Sequence, residues 1–342
     1  MQKKVLPVDA ADSATRQRSR RAVVAALIAT PWLQALAQVS APAAFPNRAL
    51  RVLVGVPPGG STDALARLVA DHLRDALGQS TVVDNRPGAN TAVAAEAVAR
   101  SAPDGHTLLF ATEALLTVPL LTKVSFDPLS DFVPVATVAM NRFVMAVHPD
   151  VPATTLQDFI RLAKQRPGQL NYASSGSGGA SHLGIEKFKR LTGTHIVHIP
   201  YRGAGLALTD AVAGQVQLSM WTPLAIAPHV ASGRLRALAI TGSKRLAIPS
   251  MANVPTFAEA GLPAFDHRAW QALYAPAATP RPIVERLHEE IRKMLTNPKV
   301  LDTLDRQGVD PFLSALDQIP GHLRAEQTEI ARVVKAANIK MD

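Results

Sequence analysis

Apolar residues in the first 140 positions alternate between two spacings, and this predicts a repeated order of strand and helix. Short apolar runs at residues 52–56, 81–83 and 107–111 are typical of buried strands. Between them, residues 64–77 and 91–102 place apolar side chains at helical spacing, with charged side chains on the opposite face. Short strands that alternate with helices indicate a parallel sheet covered on both faces.

The same order recurs further along the chain, after an extended stretch at residues 132–147 that is broken at Asn141 and Arg142. The pattern there predicts three helices and four strands, namely helices at 156–164, 180–191 and 206–213 and strands at 170–173, 196–200, 216–220 and 235–241. A second extended segment, residues 267–274, precedes three predicted helices without a sheet of their own, at 282–295, 299–307 and 313–337. We therefore expect the chain to enter a second domain near residue 142 and to return near residue 270, so that two crossing strands form a hinge.

Two turns rich in glycine and serine each join a predicted strand to a helix. They are PPGGSTD at residues 57–63 and SSGSGG at residues 174–179. The N-terminus of a helix exposes unpaired backbone N–H groups and carries partial positive charge, which suits an anion. In open α/β sheets ligands bind beyond the carboxyl ends of the strands, where both turns lie. The sequence therefore predicts a cleft that closes on a carboxylate-like ligand, with N–H groups of both turns pointing into it.

Composition excludes several other classes of protein. The 342 residues are 47% hydrophobic and 18% charged, which is enough for two domains with their own cores. The absence of cysteine removes disulfides, thiol catalysis and cysteine-based zinc sites. Aromatic residues make up only 5% and do not alternate with runs of Lys and Arg, so we expect no nucleic-acid binding despite the net charge of +9. No internal apolar stretch is long enough for a transmembrane helix in the mature chain.

The first 37 residues have the order of a secretory signal. Four arginines between residues 16 and 21 precede the apolar run at residues 22–29, and small residues end the segment at Ala37. The Arg20-Arg21 pair after a long n-region is typical of a twin-arginine signal, and the general secretory route is the alternative. We expect export to the periplasm with cleavage near Ala37.

Catalytic signatures are missing from the chain. It has no Gly-x-Ser-x-Gly elbow, no Walker lysine, no HExxH and no complete dinucleotide fingerprint. Histidines at metal-ligand spacing are also missing. We expect neither an enzyme nor a metal or cofactor.

Six blocks in order make the chain recognisable: VGVPPGGSTD, DNRPGAN, APDGHTLLFAT, LNYASSGSGGASHL, HIPYRGAGLALTDAVAGQV and NVPTFAEAGLP. With these blocks, the chain from residue 45 to 339 resembles the Bug receptor family, the TctC-like extracytoplasmic solute-binding proteins of tripartite tricarboxylate transporters. The resemblance implies a periplasmic-binding-protein-like α/β fold: two doubly wound α/β lobes joined by two crossing strands, with a ligand cleft between them. We expect residues 45–141 and 272–342 to form lobe 1 and residues 142–271 to form lobe 2.

The resemblance also implies a function. Such a receptor captures a small carboxylate between its lobes and delivers it to the membrane permease subunits of a tripartite tricarboxylate-type transporter. In the family, the turns that match residues 56–63 and 174–182 hold one carboxylate, partly through ordered water. These are the turns that the backbone argument selects independently. We expect a monomer with no cofactor.

The expected ligand contacts lie on both turns and on neighbouring strand ends. They are Val56, Gly60, Ser61, Thr62, Asp63, Thr112, Glu113, Ser174, Ser175, Gly176, Gly178, Ser181, His182, Tyr201, Arg202, Trp221 and Thr222. Alternative roles are helix capping for residues 61–63, an exposed surface position for Arg202, and packing or capping at a helix start for His182.

Two strand ends depart from the family pattern. Glu113 lies where the family usually has a small polar turn, and Trp221 lies where it often has an acidic or amide residue. We therefore expect a ligand with one carboxylate and an apolar or aromatic body against Trp221, while Glu113 accepts from a hydroxyl, amide or amine at the far end. In the alternative interpretation Trp221 is a wall residue and Glu113 points to solvent.

Two other functions remain open at this point. The same fold can report ligand occupancy to a membrane kinase without transport, and deletion of the gene separates this from uptake. A more distant alternative is an exported enzyme that acts on a small carboxylate, in which case incubation yields product in place of intact ligand.

Overall fold

The structure, a computed structural model, describes residues 45–340 and, before them, only Gln2. The signal peptide predicted for residues 1–37 lies outside the described residues apart from that one. Within the described part of the chain, no helix combines the length and the apolar character needed to cross a membrane.

The described residues contain eleven strands in two mixed sheets. In chain order they are β1 (Leu50–Val54), β2 (Thr81–Asn85), β3 (Thr107–Thr112), β4 (Phe132–Asn141), β5 (Val144–Val147), β6 (Asn171–Ser174), β7 (Val197–Pro200), β8 (Leu218–Trp221), β9 (Arg236–Ile240), β10 (Ala269–Pro276) and β11 (Val309–Pro311). The first sheet has the order β11-β4-β10-β3-β1-β2, and the second has the order β7-β6-β8-β5-β9. Each sheet forms the centre of one lobe.

Ten α-helices cover the two sheets in the described part of the chain. They are α1 (Ser61–Leu77), α2 (Ala92–Ala99), α3 (Ala114–Leu121), α4 (Leu156–Gln165), α5 (Ala180–Thr192), α6 (Ala204–Val212), α7 (Pro223–Ala231), α8 (Arg281–Leu295), α9 (Pro298–Arg306) and α10 (Ile319–Ala336). Short 3-10 segments at Ala89–Thr91 and Pro249–Met251 complete the helical elements.

Each sheet has two covered faces, which we name after one helix on each. On the first sheet, α1, α8 and α9 pack on the α1 face, and α2, α3 and α10 pack on the α10 face. On the second sheet, α4 and α5 pack on the α5 face, and α6 and α7 pack on the α7 face. These four apolar layers confirm two doubly wound α/β lobes.

The two sheets are mixed because the chain crosses between the lobes twice. β3 is parallel to β1, and β10 is antiparallel to both β3 and β4. A strand that returns from the hinge starts at the sheet edge where β3 ends, so β10 must run the opposite way. β5 enters the second sheet in the same manner and is antiparallel to β8 and β9. The strands that predicted a parallel sheet, β1, β2 and β3, are parallel to one another, and the antiparallel neighbours come from the strands at the crossings.

The sequence pattern also missed three elements. Helix α3 has the sequence ALLTVPLL and helix α7 has PLAIAPHVA, so neither has a polar face to mark it as helical. The three-residue strand β11 pairs with the edge of β4, and the last helix begins at Ile319. The segment expected to be helical from residue 313 is therefore partly loop.

Each face of the first lobe adjoins one face of the second lobe across the hinge. Leu183 of α5 packs in the apolar cluster of the α10 face, which joins the α5 and α10 faces. On the other side, a Cβ atom at Gly308, just after α9, would overlap Cγ of Pro223 at the start of α7. The α1 face of the first lobe therefore adjoins the α7 face of the second.

Candidate functional site

The first turn joins β1 to α1, and its geometry depends on Asp63. The carboxylate of Asp63 accepts hydrogen bonds from the backbone N–H of Gly59 at 2.9 Å, from the Asn85 amide at 2.9 Å and from the Arg67 guanidinium at 3.0 Å. Burial by itself raises the pKa of Asp63, but the bonds from Arg67, Gly59 and Asn85 together lower it. Asp63 was predicted to contact ligand. In the structure its carboxylate is engaged within the first lobe, where it holds the turn.

Ser61 ties the start of α1 to the hinge. Its hydroxyl donates to Oδ1 of Asn141 at 2.9 Å, 80 residues away in sequence, and both side chains are buried. The N-cap residue Gly60 is extended and exposed, and Thr62 and Val56 are half-buried. Because the first N–H groups of a helix have no intrahelical partner, this end of α1 presents donors at the carboxyl edge of the first sheet.

The second turn, residues 174–179, uses most of its N–H groups internally. Gly176 donates to the Ser174 hydroxyl at 3.2 Å, Gly178 donates to Nδ1 of His182 at 3.1 Å, and Gly179 donates to the Gly176 carbonyl at 3.2 Å. The N–H of Ser175 lies 3.4 Å from the Ser181 hydroxyl. The sequence argument expected these groups to point into the cleft. The N–H groups in the first turn of α5 have no intrahelical partner, so they are the donors that remain at this end of the second lobe.

A buried polar cluster in the second lobe forms hydrogen bonds with this turn. The His182 ring stacks on His198 with 3.7 Å between centroids, and the Ser174 hydroxyl lies 2.6 Å from Nε2 of His198. Burial, with smaller contributions from His198 and Lys189, lowers the pKa of His182 to about 3. Glu186 lies 4.0 Å from His182 but is bound by Tyr172 and Lys189. His182 is therefore neutral and accepts the N–H of Gly178.

The replacement His182→Asn is expected to flatten the pH dependence of stability. The unfolded chain takes up the proton first, so the contribution of His182 is complete above pH 6.5 and is lost as the pH falls towards 3. Asn places an oxygen near the position of Nδ1 and does not titrate. The free energy of unfolding of the wild type relative to His182→Asn should then fall by up to about 1.4 kcal/mol per pH unit below pH 6.

This difference is measured by urea unfolding at pH 7.5, 6 and 5. The control is His195→Asn, which changes an exposed histidine on the same lobe. Parallel pH profiles for the wild type and His182→Asn would contradict the assignment.

The strand ends of the first lobe carry Thr112 and Glu113. The Thr112 hydroxyl accepts the N–H of Ala114, the first residue of α3, at 3.2 Å. Glu113 is only 4% exposed, and its Oε2 has no hydrogen-bond partner within residues 45–340. Burial raises the pKa of Glu113 to about 8, so the carboxyl is protonated at neutral pH and can donate. Because Glu113 is buried, the alternative interpretation that it points to solvent was wrong, and its contact with ligand stays a prediction.

The strand ends of the second lobe differ in their partners. The Tyr201 hydroxyl donates to Asp210 at 2.8 Å within the lobe. Arg202 is exposed and makes no hydrogen bond or ion pair to any described residue. Thr222 is the N-cap of α7, without a side-chain cap. Trp221 is 5% exposed on the α7 face, and its indole N–H has no partner in the described part of the chain.

The lobes touch beside the second turn. A Cβ atom at Gly178 would overlap Cδ1 of Leu121 and lie 3.2 Å from Cγ2 of Thr117, both on α3 of the first lobe. Gly178 also has a φ of +75°, which favours glycine. Glycine at this position therefore lets the turn of one lobe approach the helix of the other.

Sequence reasoning missed Asn85, Asn141, His198 and Gln271. The first three act through partners distant in sequence, which no local pattern shows. Gln271 did carry a signal, because it is the one uncharged polar amide in the apolar run AWQALYAP. Its side chain is fully buried, and neither amide atom has a partner among residues 45–340.

Two α/β lobes with helix N-termini at the facing strand ends define the periplasmic-binding-protein fold. A structure of an R. palustris protein with adipate superposes with a TM-score of 0.79 at 34% identity, covering 86% of this chain and 99% of that one. MatC from Rhodopseudomonas palustris with bound malate gives a TM-score of 0.74 at 32% identity, covering 85% of this chain and 100% of that one.

The chain belongs to the tripartite tricarboxylate transporter family receptors (TctC), whose sequence profile matches residues 65–339. Protein BugT of Bordetella pertussis is 36% identical over 324 residues, which cover 94% of this chain and 98% of BugT. The resemblance to Bug receptors is thus confirmed. The chain is a solute-binding transport receptor of the periplasmic binding protein class and not an enzyme.

Proposed function

We propose that this receptor captures a small carboxylate between its lobes and delivers it to the membrane permease subunits of a tripartite tricarboxylate-type transporter. The observation that carries the proposal is the placement of two helix N-termini, those of α1 and α5, at the facing edges of the two sheets. Relatives solved with adipate and malate support a carboxylate as the ligand.

The ligand is held by a set of donors with little positive charge. Arg202 is exposed, Arg67 is bound to Asp63, and the buried Arg142 is paired with Asp310. A hydrogen bond to a charged group contributes roughly 1.5–3 kcal/mol, and a helix end adds about 0.3–1 kcal/mol. Three or four such bonds, less the cost of ordering the ligand, reach about 8 kcal/mol, the value for a micromolar complex.

The body of the ligand packs on Trp221, whose buried ring offers an apolar surface at the end of β8. An apolar chain or aromatic ring attached to the carboxylate fits this surface. The neutral Glu113 carboxyl directly follows β3 and is available to donate a hydrogen bond to the ligand.

Thermal shift with a panel of acids tests the proposal. Malate, adipate, citrate, glutamate and benzoate cover the chemical range, with the corresponding amides as uncharged controls. A ligand at about 100 times its Kd adds roughly 2.7 kcal/mol to the free energy of unfolding. Stabilisation by at least one acid and by none of the amides is expected. Equal stabilisation by amides would contradict a carboxylate site.

Delivery to a permease is tested separately by deletion of the gene. Loss of uptake of the stabilising acid supports transport, whereas unchanged uptake with lost induction indicates a sensor. We further propose a monomer that is exported with its signal cleaved near Ala37, which the mass of the protein from a periplasmic fraction tests.

A further inference from the structure

A buried carboxyl group lies beside the contact between the two lobes. Glu113 directly precedes α3, and its Oε2 atom has no hydrogen-bond partner among residues 45–340. The hydroxyl of Tyr274 on β10 is also buried without a partner in that part of the chain. Burial, and after it the neighbouring Glu113, raises the pKa of this hydroxyl. A carboxyl in such surroundings avoids the cost of a buried charge by keeping its proton.

The second lobe covers this region at two points. Gly178 of the second turn adjoins Thr117 of α3, whose hydroxyl donates to the Glu113 carbonyl at 3.0 Å. Leu183 of α5 packs in the same apolar cluster as Tyr274. Both contacts come from the second lobe. Separation of the lobes therefore removes them and admits water to the start of α3.

The charged groups nearest to Glu113 come from both lobes. Burial has the largest effect on the pKa of Glu113, and the negative charge of Glu326 on α10 raises it further. Glu326 is half-buried and is itself influenced by Lys187 on α5 and by Glu329 on its own helix. Lys187 also donates to the Asp266 carbonyl at 2.8 Å. The neighbour that acts on Glu113 directly is thus an anion, which favours the neutral carboxyl.

The other elements around the start of α3 bring charges that have partners of their own. Among the residues that the structure describes, β3 and α3 contain no titratable side chain, and α2 contains only Glu96, which lies 3.8 Å from Arg100. On α5, His182 and Glu186 belong to the buried polar cluster of the second lobe. His267, between the lobes, lies 2.8 Å from a carbonyl oxygen of α5.

We propose that Glu113 makes closure of the two lobes proton-linked, so that the lobes come together on its neutral carboxyl and separate when it loses the proton. With the lobes in contact, burial raises the pKa of Glu113 to about 8. Water that enters on separation moves this pKa towards its ordinary value of 4.5. The lobes therefore close less readily as the pH rises from 4.5 to about 8, by up to about tenfold per pH unit. This inference goes beyond the capture of a carboxylate and does not depend on which ligand binds.

The absence of cysteine from the chain allows a direct measurement of the distance between the lobes. Ser80 precedes β2 and His195 precedes β7, and these are edge strands on the sides of the two sheets away from β4 and β5. Both side chains are exposed. Spin labels at Ser80→Cys and His195→Cys report this distance by pulsed electron spin resonance without any ligand. In the otherwise wild-type chain, the population at the longer distance should grow from pH 5.5 to pH 8.5.

Three substitutions in the labelled chain test the role of the carboxyl. Glu113→Gln keeps the size of the side chain and does not titrate, so the lobes should stay together over the whole pH range. Glu326→Gln removes the negative neighbour and should move the transition to lower pH. The control Asp317→Asn changes an exposed acid of the same lobe and should follow the wild type.

The distance distributions decide the matter. A wild-type distribution that does not change with pH would overturn the inference, as would a transition in Glu113→Gln like that of the wild type. If Glu113→Gln does not fold, an unshifted transition in Glu326→Gln has the same meaning. Failure to bind any acid would refute the proposed function and leave this inference standing, because the measurement uses no ligand.

Discussion

The replacement Arg142→Met is expected to lower the free energy of unfolding by about 2–4 kcal/mol. Arg142 is the hinge residue between β4 and β5 and is only 1% exposed. Its guanidinium binds both oxygens of Asp310 on β11, with Nε at 2.9 Å, and donates to the Lys244 carbonyl of the second lobe at 3.2 Å. Methionine leaves the Asp310 carboxylate and that carbonyl without their partner.

Urea unfolding measures the loss, and two further variants interpret it. Arg306→Met breaks an exposed pair with Asp302 and should change stability little. Combining Arg142→Met with Asp310→Asn removes the uncompensated charge and should recover part of the loss. If Arg142→Met costs no more than Arg306→Met, the ion pair does not stabilise the hinge.

The replacement Gly178→Ala is expected to weaken binding of the stabilising acid about ten- to a hundredfold. The second turn rests on α3 of the other lobe at this position. The added methyl group collides with Leu121 and approaches Thr117 as long as this contact is made. Overpacking of this kind costs about 1–3 kcal/mol and opposes the contact between the lobes, which a ligand held by both lobes requires. A further cost of about 1–2 kcal/mol, from the positive φ, affects stability.

A second substitution distinguishes the collision from the backbone strain. Leu121→Ala in the Gly178→Ala background makes room for the methyl group and should restore most of the affinity, while the strain at residue 178 persists. Gly193→Ala serves as a control, because its φ of +65° is similar and no atom lies within 4 Å of the added carbon. An affinity that stays low in the double variant would show that the turn conformation, and not contact between lobes, limits binding.

Local patterns predicted much of the fold because the spacing of apolar residues identifies most of its strands and helices. The amphipathic helix α1 and the two Gly/Ser turns follow from residue spacing alone, and the break at Asn141 and Arg142 marked the crossing. Helices α3 and α7 escaped detection because both are apolar on all sides. The direction of β10 could not be read locally, since it depends on where the chain re-enters the sheet.

For the candidate site too, the sequence predicted features that depend on neighbouring residues and missed those that depend on residues distant in the chain. The sequence located both turns and the strand ends at Glu113 and Trp221. It did not show that the Asp63 carboxylate is bound by Asn85, or that burial raises the pKa of Glu113 to about 8. The N–H groups of residues 176–179 were expected in the cleft, but three of them bond within the turn or to His182.

By itself the sequence determined most of the strands and helices in their order, the two helix N-termini that carry donors, and the family of the protein, because these depend on short-range spacing. The tertiary structure alone decided which polar groups are satisfied and which remain for a ligand. Those partners come from residues far apart in the chain, such as Ser61 with Asn141 and Arg142 with Asp310. Only the packing of the two lobes against each other brings Gly178 of the second turn next to Leu121 and Thr117 of α3.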